Sequence, residues 1–160
     1  MTDSHHRERF DIYKVFPAGY KAMLALEEAC QAGPIDPFLF ELVKMRASQI
    51  NGCAFCLDMH YKDARAMGET EERLYMLNAW QESTLYTREE RAALALTEAV
   101  TVISENHVPA EVEDEARACF DDETYANLLF SIVVINSWNR LSISTHAPAG
   151  FYKSDRSPLR

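Results

Sequence analysis

Apolar residues recur at intervals of three and four along most of the chain, and no segment alternates apolar with polar positions as a half-buried strand would. The pattern predicts helices. After Pro17 the run AGYKAMLALEEACQAG reads as helix and stops at Gly33-Pro34. Asp36 offers an N-cap and Pro37 a first helical position, and Phe38, Leu39, Leu42, Val43 and Met45 keep helical spacing up to Ile50. Asn51-Gly52 interrupts this helix, and a third runs from about Cys53 to Met67, closed by Gly68. Thr70 caps a fourth. Thr87 and Glu90 form a capping box before RAALALTEAVTVIS, and Val108-Pro109 opens the short acidic helix PAEVEDEARACF. Asp121 or Asp122 caps the longest segment, YANLLFSIVVINSWNRLSIS, whose middle is apolar nearly all round, which places it centrally in a bundle or between subunits. The fold class is all-α, with no internal repeat.

Composition narrows the reading. A chain of 160 residues fits one domain, 1–160, and buries enough apolar surface to need no disulfide or metal staple. The net charge of -9, with no Lys/Arg run, opposes nucleic-acid binding because the field has the wrong sign. The N-terminal MTDSHHRERF has no apolar segment, and LLFSIVVI (Leu128 to Ile135) is far too short to span a bilayer. The expectation is a cytoplasmic protein with no membrane partner. In that compartment a Cys-x-x-Cys is more often catalytic or metal-binding than structural.

Such a pair stands in INGCAFCLDMH, Ile50 to His60. On a helix Cys53, Cys56 and His60 fall at i, i+3 and i+7, and Ala64 and Met67 continue the stripe. A core-facing seam has the same look, since free cysteine is among the most buried residue types. The chemistry nevertheless fits. The helix N-terminus favours a thiolate, an imidazole four residues beyond Cys56 takes a thiol proton, and three residues of separation let the sulfurs form a disulfide. Glu41, ten residues before Asn51, lies level with His60, nine residues after it, if the helices pack antiparallel across the turn; both are then roughly 14 Å from it. A carboxylate on the apolar stripe between Phe38 and Met45 needs a partner, and a Glu facing a His is a proton relay in outline. The same four residues contain zinc donors, but three from one straight helix converge poorly.

Glu41, eleven residues, Cys53-x-x-Cys56, three residues, His60: this arrangement resembles the core signature of the alkylhydroperoxidase D and carboxymuconolactone decarboxylase family. The resemblance covers Asp36 to about Asn106, and more loosely NSWNRL (Asn136 to Leu141). It implies a helical bundle of that type and a thiol-dependent hydroperoxide reductase serving antioxidant defence, with Cys56 peroxidatic, Cys53 resolving, His60 the base and Glu41 orienting it. It also implies a hydroperoxide substrate, an external dithiol reductant such as a lipoyl group, and a homo-oligomer, either a dimer or a trimer of dimers. No cofactor and no metal is called for. The residues alone leave the thiol roles open, because the helix dipole favours Cys53 and the i to i+4 relation favours Cys56. Some members carry a histidine immediately before the second cysteine, where this chain has Phe55. Lactone decarboxylases of the superfamily do not depend on a cysteine pair, so decarboxylation is the lesser alternative, beside a metal-binding or redox-sensing protein without catalysis. Cys30 and Cys119 read as buried structural thiols, and neither His5-His6 nor His107 has a role. His146, with Trp138 and Asn139 nearby, lines a pocket if the C-terminus folds back.

Overall fold

The computed structural model describes residues 10–159, so His5-His6 lies outside the described residues. Within them the chain is helical throughout: α1 Ile12–Val15, α2 Pro17–Gln31, α3 Pro37–Asn51, α4 Ala54–Met67, α5 Glu71–Met76, a 3-10 turn at Leu77–Ala79, α6 Arg88–Thr101, α7 Ile103–Asn106, α8 Ala110–Cys119 and α9 Asp122–Ser144. The capping residues act as their chemistry dictates. The Asp36 carboxylate accepts from the Phe38 and Leu39 amides, Thr70 accepts from Arg73, Asp121 accepts from Thr124, and Thr87 and Glu90 cap one another reciprocally.

Two elements depart from the expected pattern. α1 has only four residues, too few for a periodic signal. The helix expected through RAALALTEAVTVIS breaks at Val102, where the β-branched run Val100 to Ile103 loses side-chain freedom against the preceding turn, and α7 follows as a separate turn.

The centre of the bundle is α3 more than α9. α3 packs against α4, α6 and α9, and every residue from Phe38 to Met45 is buried, Glu41 and Lys44 included. Leu42, Val43 and Met45 have no exposed surface, and each such side chain contributes about 1.5–3 kcal/mol by leaving water. α9 buries Leu128, Ile132, Val134 and Ile135, yet leaves Phe130 and Val133 about half exposed on its outer side. Among the described residues no helix is long and apolar enough to cross a membrane.

Between α3 and α4 the chain turns at Gly52, whose φ of 70° is the left-handed conformation that a side chain disfavours. A buried polar knot holds this turn against α9. The Asn51 side-chain amide donates to Asn136 Oδ1 at 2.9 Å and Asn139 Oδ1 at 2.8 Å, and Asn139 in turn donates to Ser48 Oγ at 3.0 Å. Beyond α9 the chain turns through His146, φ 54°, and its C-terminal tail returns along α4. The Gly150 amide donates to Asp58 Oδ2, Lys62 Nζ to the Tyr152 carbonyl and the Leu159 amide to the Met67 carbonyl, each at 2.9 Å.

Candidate active site

Gly52 ends α3 and Cys53 begins the next helix as its N-cap, its sulfur accepting from the Cys56 amide at 3.3 Å. Cys53 thus stands just outside α4 and Cys56 in its first turn. Their Cα atoms are 5.4 Å apart and the two sulfurs are joined in a disulfide. Both cysteines are 1% exposed, but they are not equivalent. Cys56 lies on the wall of a cavity of about 340 Å³, together with His60, Glu41, Phe55 and Trp138, whereas Cys53 packs behind it against Ala47 and Ile135.

The helical rise brings Glu41 and His60 to one level, and they meet. His60 Nδ1 and Glu41 Oε2 are 2.8 Å apart, with both residues buried. Burial pushes the Glu41 carboxyl up, but the charge and hydrogen bond of His60, backed by Lys44 and Arg156, outweigh it and hold the carboxyl below its ordinary value. An ionised carboxylate only accepts, so Nδ1 carries the proton and donates it to Glu41. Whenever the ring is neutral, Nε2 holds its free lone pair. That atom is buried and meets no hydrogen-bond partner among the described residues. A buried ring nitrogen with no partner is costly in a merely structural histidine and useful in a base.

The four expected residues therefore converge, and neighbours that the sequence pattern did not single out join them. Lys44, one turn after Glu41, is almost fully buried, sits 3.8 Å from the centroid of the Phe40 ring and pairs with Glu27. Trp138 Nε1–H also donates to Glu27, at 3.2 Å. Asp63, one turn after His60 on the same stripe, is buried and accepts from the Tyr152 hydroxyl at 2.9 Å. A charged residue at helical spacing on an otherwise apolar face is the signal by which Lys44 and Asp63 were legible. Tyr152 and Arg156 had none, since the tail has no periodicity.

Two expectations need correction. The C-terminus does fold back, but it brings Tyr152, Asp155 and Arg156 to the cavity wall; His146 forms the turn and points its exposure to solvent instead. Cys119 is not buried: it is partly exposed at the end of α8, 3.9 Å from Glu115, while Cys30 is buried as expected. Of the four donors weighed for zinc, Cys53 packs away from the cavity against Ala47 and Ile135. The donors that do come within 4.8 Å of one another are Glu41, His60 and Asp63.

Residues 17–99, just over half the chain and including all four of these positions, match the carboxymuconolactone decarboxylase family model. The uncharacterized protein YdfG of Bacillus subtilis is 47% identical over 137 residues, which span 86% of this chain and 93% of that protein. The uncharacterized protein YnjA of Escherichia coli is 30% identical over 120 residues, 72% of this chain and 63% of that one. Among solved structures, ATU0492 of Agrobacterium tumefaciens, a protein of unknown function offered as an AhpD of antioxidant defence, superposes with a TM-score of 0.87 at 37% identity, covering 91% of this chain and all of that one. The debrominase Bmp8 superposes with a TM-score of 0.78 at 22% identity over 86% of this chain and 74% of its own, a likeness of fold alone. By sequence match and by fold, the chain belongs to the carboxymuconolactone decarboxylase family as an alkylhydroperoxidase D-like member.

Proposed function

We propose that the protein is a thiol-dependent hydroperoxide reductase, with Cys56 as the attacking thiol, Cys53 as the resolving thiol, His60 as the base and Glu41 as the residue that orients and polarises His60. The observation that carries this reading is the asymmetry of the disulfide: only Cys56 faces the cavity, and it shares that wall with His60. This favours the i to i+4 relation over the helix dipole in assigning the two thiols.

In the reduced protein His60 takes the Cys56 proton, and the thiolate attacks one peroxide oxygen. An S–O bond forms, the O–O bond breaks, and the alkoxide leaves with the proton returned by His60, giving an alcohol and a sulfenic acid on Cys56. Cys53 then attacks the Cys56 sulfur, the S–S bond forms and water departs. Two electrons must be restored by an external dithiol. Its thiolate reaches the Cys56 sulfur through the cavity, and Cys53 leaves as a thiolate stabilised by the Cys56 amide and the start of α4; the reductant's second thiol then attacks its own bonded sulfur, freeing Cys56 and leaving the reductant as a disulfide. A lipoyl-type dithiol fits this step. The exposed Phe130 and Val133 on α9 support a second copy of the chain as a further partner, in a dimer or a trimer of dimers.

Turnover of an organic hydroperoxide with a dithiol tests the proposal. Cys56→Ser should abolish the reaction, and Cys53→Ser should complete one oxidation and accumulate sulfenic acid that a dimedone probe traps. Wild-type turnover in both variants would remove the redox assignment.

A further inference from the structure

The C-terminal tail lies outside residues 17–99, yet it supplies part of the cavity that holds Cys56 and His60. Its contacts are directed at charges. The Tyr152 hydroxyl donates to one oxygen of Asp63, and burial together with that carboxylate pushes the hydroxyl's pKa well up, so it remains a donor. Arg156 Nε approaches the other Asp63 oxygen at 4.0 Å, and its guanidinium meets the Gln31 side chain once that amide is turned to accept.

The charge count around His60 gives these contacts their meaning. α3 presents Glu41 and Lys44, α4 presents Asp63, and α2 presents Glu27, which is already paired with Lys44. The tail presents Asp155 and Arg156, and the remaining titratable groups on the wall are the hydroxyls of Tyr13, Tyr20 and Tyr152. Once Lys44 and Glu27 are set against each other, Glu41, Asp63 and Asp155 are opposed, among the described residues on the wall, by one fixed cation, Arg156. Both Glu41 and Asp63 have a donor atom within 4.8 Å of His60.

We infer that Arg156 is a positioning residue, delivered by the tail, whose positive charge offsets the second buried carboxylate beside His60 and so sets the pH range in which Cys56 is nucleophilic. The inference rests on the Cys56–His60 assignment made above, but not on the identity of the oxidant. A positive charge near the pair makes proton loss easier, and its removal makes every proton loss in the site harder. The contacts place the guanidinium within about 11 Å of the imidazole, and the side chain is about one third exposed, so solvent screening applies. Between protein-like and water-like screening, one unit charge at that distance shifts the alkylation midpoint by about 0.3 to 1 pH unit.

The test is the pH dependence of Cys56 alkylation by iodoacetamide in the reduced full-length protein, read peptide by peptide in a mass spectrometer. It compares wild type, Arg156→Lys, Arg156→Gln and Arg156→Glu. The tail's anchors at Gly150, Tyr152 and Leu159 are untouched in every variant. The expected order follows charge: Lys keeps the wild-type midpoint, Gln moves it to higher pH, and Glu moves it about twice as far. Asp63→Asn should move it the opposite way. Superimposed curves across the Arg156 series, or an order unrelated to charge, overturn the inference, because a purely structural residue would not rank its replacements by charge. Charge-ordered shifts in a protein that turns over no hydroperoxide would uphold the electrostatic role while removing the proposed activity.

Discussion

Glu41→Gln keeps the shape of the side chain and removes its charge. In the wild type Glu41 accepts from His60 Nδ1–H at 2.8 Å with both residues buried, so the bond is charge-assisted and shielded from solvent. A hydrogen bond to a charged group contributes about 1.5–3 kcal/mol and a neutral one about 0.5–1.5, so the exchange weakens stabilisation of the protonated ring by about 1.5 kcal/mol. That amounts to about tenfold in the rate at which Cys56 is alkylated near neutral pH. His60→Ala removes the base itself and should cost about a hundredfold to ten-thousandfold. The assay is iodoacetamide alkylation of Cys56 in the reduced protein from pH 5 to 9, resolved from Cys30, Cys53 and Cys119 by mass spectrometry. Superimposable profiles for wild type, Glu41→Gln and His60→Ala would refute the relay and leave the disulfide chemistry standing. A stability measurement on the same variants supplies an independent check. The Glu41 carboxyl is held below its ordinary value of 4.5, so its contribution is fully present above that pH and is lost as pH falls through the lower folded value. As far as the Glu41 carboxyl itself titrates, the difference in unfolding free energy between wild type and Glu41→Gln should therefore shift against the wild type as pH falls below about 4.5.

Asn139→Ala should cost about 2–3 kcal/mol, because it deprives Ser48 of its donor and Asn51 of one of its two acceptors in a fully buried site. In a chain of this length, thermal unfolding should move down by about 5–10 °C, and an unchanged midpoint would show that the knot does not hold the turn. Light scattering at micromolar concentration should give at least twice the chain mass of 18.3 kDa, and a stable monomer would count against the second-copy reading of Phe130 and Val133.

Much of the hairpin was legible because its signals are local. Asp36-Pro37, Asn51-Gly52 and Gly68 punctuate α3 and α4, and the constant rise of a helix is enough to bring Glu41 level with His60 across a tight turn. What sequence reasoning missed depends on contacts between distant segments. Lys44 looks like a lapse in an apolar stripe until α2 supplies Glu27, 111 residues from the Trp138 that shares it. The thiol roles were undecided because periodicity puts both cysteines on one face. Only packing against Ala47 and Ile135 shows that Cys53 lies behind Cys56. Burial of Cys119 was expected from residue type, yet α8 is an outer helix with one buried residue, Ala116, and leaves the thiol near its edge.

The tail has a consequence for how relatives of this chain should be compared. The reactive residues sit in a segment under strong structural constraint, with Phe38 to Met45 of α3 all buried, while Tyr152, Asp155 and Arg156 arrive on a stretch of chain, residues 148–159, that has no helix among the described residues and is tied to α4 by three hydrogen bonds. The hairpin thus carries the reacting groups, and the tail carries part of the wall around them. Two proteins with the same Glu, Cys-x-x-Cys and His but different C-terminal tails would present the same reacting groups behind different cavity walls, so a likeness confined to the hairpin does not carry over what the cavity admits.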